Sequence, residues 1–85
     1  MQWYTLSPEQ GNEYAQYNLG RLYYLGQGVT ANMVYAHMWT NLASSNGFDM
    51  SKNLRGLITE LMTPSQIERA QELARKCIKK NYKEC

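Results

Sequence analysis

Residues 12–47, NEYAQYNLGRLYYLGQGVTANMVYAHMWTNLASSNG, decide the fold of this 85-residue chain. The segment Gly26-Gln27-Gly28-Val29 lies between two stretches whose apolar residues recur at helical spacing. Its two glycines can adopt positive φ without steric cost, as a tight turn between helices requires. The stretch therefore predicts two antiparallel helices, the first over about 13–25 and the second ending at Asn46-Gly47.

Polar caps and apolar stripes support both helices. Asn12 is expected to cap the first helix, and Thr30 or Asn32 the second. The predicted core stripes are Ala15, Leu19, Leu22 and Tyr23 in the first helix, and Ala36, Trp39 and Ala43 in the second. Gly20 lies inside the first helix, where glycine costs about 1 kcal/mol against alanine. We therefore expect the second helix to approach Gly20 closely, beside Trp39.

The same plan recurs at an offset of 36 residues, which aligns Trp3 with Trp39 and Gly20 with Gly56. Periods of this length are typical of arrays of helical hairpins. A third helix is predicted over about 49–62. Its expected apolar stripe is Leu54, Leu57, Ile58 and Leu61.

The fourth helix has the clearest start. Thr63 and Gln66 can form a capping box around Pro64, which suits the first helical position. Its end is expected near Lys80-Asn81. The predicted stripe is Ile67, Ala70, Ala74, Cys77 and Ile78. The fold class is therefore all-α: an α-solenoid of antiparallel helix pairs, with about two repeats plus an N-terminal half-helix.

We take the chain as a single repeat domain with three parts. Residues 1–11 are the end of a truncated repeat, 12–47 a full repeat, and 48–85 a C-terminal capping hairpin. Fewer than three repeats rarely bury a continuous core, so the apolar N-terminal end is expected to be open. This predicts a homodimer that joins or swaps those ends at Trp3.

The composition excludes membrane-spanning proteins. Hydrophobic residues make up 44% of the chain and charged residues 19%, and no apolar run is long enough to span a bilayer. The first residues lack the pattern of a signal peptide, which predicts a cytoplasmic protein as the chain is written. The alternative is an exported or periplasmic protein, if the chain is a truncation and its cysteines are bridged.

The net charge of +2 is unevenly placed, since residues up to 65 carry −1 and those from 66 onward +3. Lys76, Lys79, Lys80 and Lys83 make a weak binder of acidic surfaces or nucleic acid one alternative function. The competing interpretation is that these cations complement the negative end of a helix dipole. Nucleic acid is therefore not the expected ligand.

No group of residues suggests catalysis, a metal or a cofactor. His37 is the only histidine and Asp49 the only aspartate, so neither a zinc ligand set nor a nucleophile with its base is evident. The turn at Gly26 and Gly28 lacks the Lys-Ser/Thr of a phosphate-binding loop. We expect His37 to be a half-exposed helical residue, and the protein not to be an enzyme.

Several motifs resemble the Sel1-like repeat family, relatives of tetratricopeptide repeats. They are EQGN at 9–12, AQYNLG at 15–20, GQGV at 26–29 and AHMW at 36–39. The resemblance implies antiparallel helix pairs stacked into a right-handed superhelix. It also implies protein–protein interaction, commonly as an adaptor in bacterial or eukaryotic assemblies, and it implies no reaction.

In such superhelices the first helix of each pair tends to line the concave face, where a protein or peptide partner would bind. The first helix carries Tyr14, Tyr17, Arg21 and Tyr24 at i, i+3, i+7 and i+10. The third helix would extend this face with Met50, Asn53 and Glu60. Tyrosine and arginine are enriched at binding hot spots. The alternative is that some of these tyrosines only pack between repeats.

Cys77 and Cys85 allow two states. On a continuous helix their Cα atoms would lie about 12 Å apart, beyond the roughly 7 Å limit for a disulfide. If the helix ends near Asn81, which tolerates the left-handed conformation, the tail can fold back and close a bridge. Otherwise Cys77 is buried and Cys85 lies in a frayed tail. A cysteine-rich branch of the resembled family bridges cysteines at this separation, and the resemblance favours the disulfide.

Overall fold

The computed structural model describes residues 12–82 and 85. Within them the chain forms four helices and no strand: α1 (Glu13–Leu25), α2 (Met33–Ser45), α3 (Met50–Glu60) and α4 (Pro64–Lys79). None of these helices is both long and apolar enough to cross a membrane. The all-α solenoid is confirmed. The half-helix predicted within 1–11 lies outside the described residues.

The first helix pair has the predicted caps. The Asn12 side chain accepts the Ala15 backbone N–H at 2.8 Å and so begins α1. Gly26 ends it with φ 71°, a left-handed conformation that glycine adopts without strain. Of the two caps proposed for α2, Asn32 is the one used, since its side chain accepts the Tyr35 N–H at 3.1 Å.

α1 and α2 are in close contact at Gly20. A Cβ atom added there would lie 2.7 Å from the Thr40 methyl group and 3.1 Å from the Ala36 carbonyl oxygen. The predicted close approach is confirmed, but its location beside Trp39 is wrong. The reason is that Thr40, one residue further along α2, points at α1, while Trp39 packs in the core cluster that α4 completes.

α2 is the central helix, because α1, α3 and α4 all pack against it. The predicted stripe of Ala36, Trp39 and Ala43 is buried. The core cluster joins α2 to α4, and its members are Met38, Trp39, Leu42, Ala74 and Cys77. α3 and α4 make few contacts with each other. The second pair is therefore held together largely through α2.

α3 buries a narrower line of residues than its sequence predicts. Ile58 and Ser51 are fully buried, and the Ser51 hydroxyl donates to the Thr40 carbonyl oxygen at 2.6 Å. Leu57 and Leu61 were predicted in the core, but they are 53% and 61% exposed. That prediction is wrong because α3 rests mainly on α2, and one neighbouring helix covers only one side of it.

The start of α4 is confirmed in detail. Gln66 N–H donates to the Thr63 hydroxyl at 3.2 Å, and the Gln66 side chain accepts the Thr63 N–H at 3.0 Å. The helix ends at Lys79, with Lys80 as its cap. Ala70, Ala74 and Cys77 are buried, but Ile78, predicted in the same stripe, is half exposed. It lies beyond the line along which α4 meets α2.

Candidate functional site

The predicted partner-binding residues of α1 lie away from α2. Ala15, Gln16 and Gly20 form the buried side of the helix. Tyr14 and Arg21 are exposed, and Tyr17 and Tyr24 are partly exposed. All four predicted side chains are therefore within reach of a partner.

Two of these tyrosines pack against Phe48, and the three rings are here called the aromatic cluster. The Tyr17 and Phe48 ring centroids are 5.0 Å apart in a tilted arrangement. The Tyr14 ring meets Phe48 edge-on at 5.8 Å. Such geometries are favourable for aromatic pairs beyond the apolar area they bury. The cluster therefore fixes two partly exposed phenol groups on α1.

Phe48 is positioned by the end of α2. Gly47 adopts φ 98°, and its N–H donates to the Ser44 carbonyl oxygen at 3.0 Å. Phe48 N–H then donates to the Ala43 carbonyl oxygen at 3.0 Å, which completes the Schellman pattern of helix termination. The turn reverses the chain and returns the Phe48 ring to α1. The sequence NGF at 46–48 is a local signal for this turn, but Phe48 was not among the predicted binding residues.

Asn46 connects the same turn to two other elements. Its side-chain amide donates to Gln16 Oε1 at 3.0 Å, and its oxygen accepts the Tyr82 hydroxyl at 3.4 Å. Gln16 is fully buried on α1, and Tyr82 follows α4. The turn that carries Phe48 is thus tied to both ends of the described chain.

The remaining candidates are not part of the aromatic cluster. Within residues 12–82, no hydrogen bond, ion pair or ring contact joins Arg21, Tyr24 or Asn53 to Tyr14 or Tyr17. Asn53 is exposed on α3. The structure therefore combines two of the five predicted residues with one that was not predicted.

Exposed large side chains occur at equivalent positions of α1 and α3. At the offset of 36 residues, Tyr14 corresponds to Met50 and Leu25 to Leu61, and all four are about half exposed or more. Met50 and Leu57 of α3 and Leu61, the residue that caps its C-terminal end, recur at i, i+7 and i+11, and we call them the α3 stripe. Single exposed apolar side chains are common, but a stripe on one helix is typical of an interaction surface.

His37 is buried, with 3% of its surface exposed, and the prediction of a half-exposed residue is wrong. It lies in the middle of α2, which other helices cover on several sides. Its Nδ1 atom has no hydrogen-bond partner within the described part of the chain. Burial lowers the pKa of His37 below its ordinary value of 6.5, and the charge of Arg55 lowers the pKa further. His37 is thus kept neutral.

Cys77 and Cys85 are joined by a disulfide in the structure, with their Cα atoms 5.5 Å apart. The chain reverses after α4 because Asn81 and Tyr82 both have positive φ, 57° and 65°. Tyr82 N–H donates to the Cys77 carbonyl oxygen at 2.8 Å and fixes this reversal. No cluster of histidine, cysteine, aspartate or glutamate in the described part of the chain could hold a metal ion.

The comparison with protein families gives a match over the first helix pair. The family model for the Sel1 repeat matches residues 13–48, which contain α1, α2 and the turn that carries Phe48. No curated protein and no solved structure matches the chain. Sel1 repeats are non-enzymatic modules that generally mediate protein–protein interaction. The helix pair, its turn and the matched family model together show that residues 13–48 of this chain are similar to a Sel1 repeat.

Proposed function

We propose that this protein is an adaptor that binds a protein or peptide partner on the exposed face of α1 and α3. The observation that carries the proposal is the aromatic cluster. Tyr14 and Tyr17 are held against Phe48 and still present part of their surface to solvent. Arg21, Tyr24 and Asn53 would contact the partner around this cluster.

The cluster favours binding because its side chains are already ordered. A side chain that is immobilised on binding costs about 0.5–1.5 kcal/mol, and ring packing removes part of that cost beforehand. A phenol group combines a large apolar area with a hydrogen-bonding end. It therefore suits a surface that is exposed to water in the free protein and buried by the partner in the complex. The capped helix pair α1–α2 supplies a rigid base.

A peptide library displayed on phage tests the proposal, with the intact chain as the immobilised target. Peptides selected on the protein are expected to bind the Tyr17→Ala and Arg21→Ala variants at least about tenfold more weakly, because truncated hot spots cost 2 kcal/mol or more. Tyr17→Phe keeps the ring and is expected to retain most of the affinity.

Arg69→Ala is the matched control for Arg21→Ala, since Arg69 is exposed on α4. Circular dichroism verifies that each variant is folded. If the selected peptides bind the Tyr17→Ala and Arg21→Ala proteins with unchanged affinity, the exposed face of α1 is not the binding surface.

A second candidate function is a structural homo-oligomer, or a piece of a longer array without a separate ligand. The predicted dimer contact at Trp3 lies outside the described residues. The α3 stripe favours self-association, because Met50, Leu57 and Leu61 are each more than half exposed. Light scattering over a range of concentrations tests self-association, and a monomer at the highest soluble concentration would exclude the homo-oligomer.

A further inference from the structure

A cavity of about 170 Å³ lies between α2, α4 and the end of the chain, away from the proposed binding face. Tyr35 and Met38 of α2 and Leu73 of α4 supply apolar walls, and the disulfide of Cys77 and Cys85 closes one side. None of these residues belongs to the aromatic cluster or the α3 stripe. The volume is below the roughly 300–1,000 Å³ of a typical small-molecule site, so the cavity suits a single side chain better than a whole ligand.

The floor of this cavity is part of the core. Met38 and Cys77 are almost completely buried and belong to the cluster that joins α2 to α4. The Tyr35 ring packs against Tyr23 of α1 with centroids 5.5 Å apart. Because these walls are held by packing, the cavity exists before any ligand binds.

Two cations complete the lining. Lys76 and Lys80 both line the cavity and are both exposed, and the Lys80 N–H donates to the Lys76 carbonyl oxygen at 3.1 Å. Across residues 12–82, the one ion pair within 4 Å joins Lys52 to Asp49, far along the chain from these lysines. Neither ammonium group therefore forms an ion pair with a side-chain carboxylate of residues 12–82.

We propose that this cavity binds one apolar side chain of an acidic peptide segment, with the flanking carboxylates of the peptide paired to Lys76 and Lys80. The apolar walls select a side chain such as leucine, and the two ammonium groups select the charge beside it. A bare anion would leave the apolar walls unfilled, and an uncharged apolar peptide would leave both lysines unpaired. The cavity thus defines a second partner site, which does not depend on the face of α1.

The disulfide makes this site dependent on oxidation. Cys85 lines the cavity, and its bond to Cys77 holds it against α4. Breaking the bond releases that wall while Lys76 and Leu73 stay on the helix. Binding of the acidic peptide is therefore expected to weaken when the disulfide is reduced.

The test uses the intact oxidised chain and a fluorescein-labelled, amidated peptide in which Glu-Glu-Leu-Glu-Glu is flanked by glycines. Fluorescence anisotropy is expected to show saturable binding. Lys80→Glu should weaken it about three- to tenfold, since the charge reversal converts an attraction into a repulsion of similar size. Lys79→Glu is the matched control: the adjacent Lys79 is also exposed and its replacement changes the net charge identically, but it does not line the cavity.

A peptide with glycine in place of leucine is expected to bind several-fold more weakly, as is the wild-type protein after reduction. The proposal is overturned if the glycine peptide binds equally well, because the apolar walls would then be unused. It is also overturned if Lys79→Glu and Lys80→Glu weaken binding equally, which would indicate a general basic surface, or if binding does not saturate. Tyr17→Ala and Arg21→Ala are expected to leave this binding unchanged, so the two proposed sites can fail separately.

Discussion

The two helix pairs share a sequence pattern but differ in packing. Gly20 of α1 and Gly56 of α3 are 36 residues apart and occupy equivalent positions. α2 leaves no room for a side chain at Gly20, whereas no described residue lies within 4 Å of a Cβ added at Gly56. A repeated glycine therefore indicates close packing only where a partner helix is actually present.

The molecule therefore contains one closely packed helix pair, α1 and α2, and a second pair, α3 and α4, whose packing depends on α2. α1 and α2 are joined by Gly20, the aromatic cluster and the Asn46 side chain. α3 and α4 reach the core separately through α2. As a result, large apolar side chains on α3 and α4 remain exposed.

The largest effect on stability is expected at Ile58, the buried residue through which α3 packs on the core. Ile58→Ala should lower the free energy of unfolding by about 3 kcal/mol, because it leaves a cavity at a fully buried position. Its neighbour Leu57 is 53% exposed, and Leu57→Ala should change stability by no more than about 0.5 kcal/mol. Urea unfolding followed by circular dichroism measures both. Equal losses would mean that α3 packs on both residues, as its sequence pattern suggests.

The next largest effect on stability is expected from the disulfide that attaches Cys85 to α4. Reducing the Cys77–Cys85 bond should lower stability by about 2–3 kcal/mol, the value expected for a loop of this length in the chain-entropy model. The Cys85→Ser variant is the control and should not respond to reductant. Alkylation without reductant followed by mass measurement determines the starting state: uptake of two alkyl groups would show that the cysteines are not bridged.

Replacing the equivalent glycines compares the two pairs directly. Gly20→Ala should destabilise the protein by about 1–2 kcal/mol, since overpacking outweighs the gain in helix propensity. Thr40 cannot turn its methyl group away without breaking the 2.8 Å hydrogen bond from its hydroxyl to Ala36. Gly56→Ala has open space and should stabilise by about 0.5–1 kcal/mol. Thermal unfolding measures the change in stability of both variants. If both substitutions change stability in the same direction, the two helix pairs do not differ in packing at these glycines.

The smallest effect on the free energy of unfolding is expected from a change in pH, which acts through His37 where α2 meets α3. Burial and then Arg55 lower the folded-state pKa of His37 below 6.5, so the unfolded chain takes up a proton more readily than the folded one. The stabilising contribution of neutral His37 is therefore complete above pH 6.5 and is lost as the pH falls towards the folded pKa. Urea unfolding across this range should show the loss in the wild type. If the stability of a His37→Leu variant depends on pH in the same way as that of the wild type, the loss of stability arises from other groups.

Local signals in the sequence predicted the helices well. Asn12, Asn32 and the Thr63–Gln66 capping box use side chains within three residues of the amides they bind, so no distant partner is needed to recognise them. The predicted core was less accurate. Leu57, Leu61 and Ile78 have helical spacing, but spacing cannot reveal whether another helix covers them.

The candidate site was predicted only in part, for the same reason. Tyr14 and Tyr17 were visible as a spaced pair on one helix, but Phe48 joins them from a turn about 30 residues further along the chain. The burial of His37 could not be predicted from its neighbours in sequence, because it depends on helices that pack on α2 from elsewhere in the chain.

The sequence by itself determined the helix ends, the turns and the 36-residue period, because each depends on backbone conformation and hydrogen bonds between near neighbours. Only the tertiary structure decided which equivalent glycine is enclosed, which apolar side chains remain exposed, and which residues line the cavity beside the disulfide. Those properties depend on the packing of α2 against three other helices. Packing brings together residues that are far apart along the chain, and no local sequence pattern indicates which of them will be in contact.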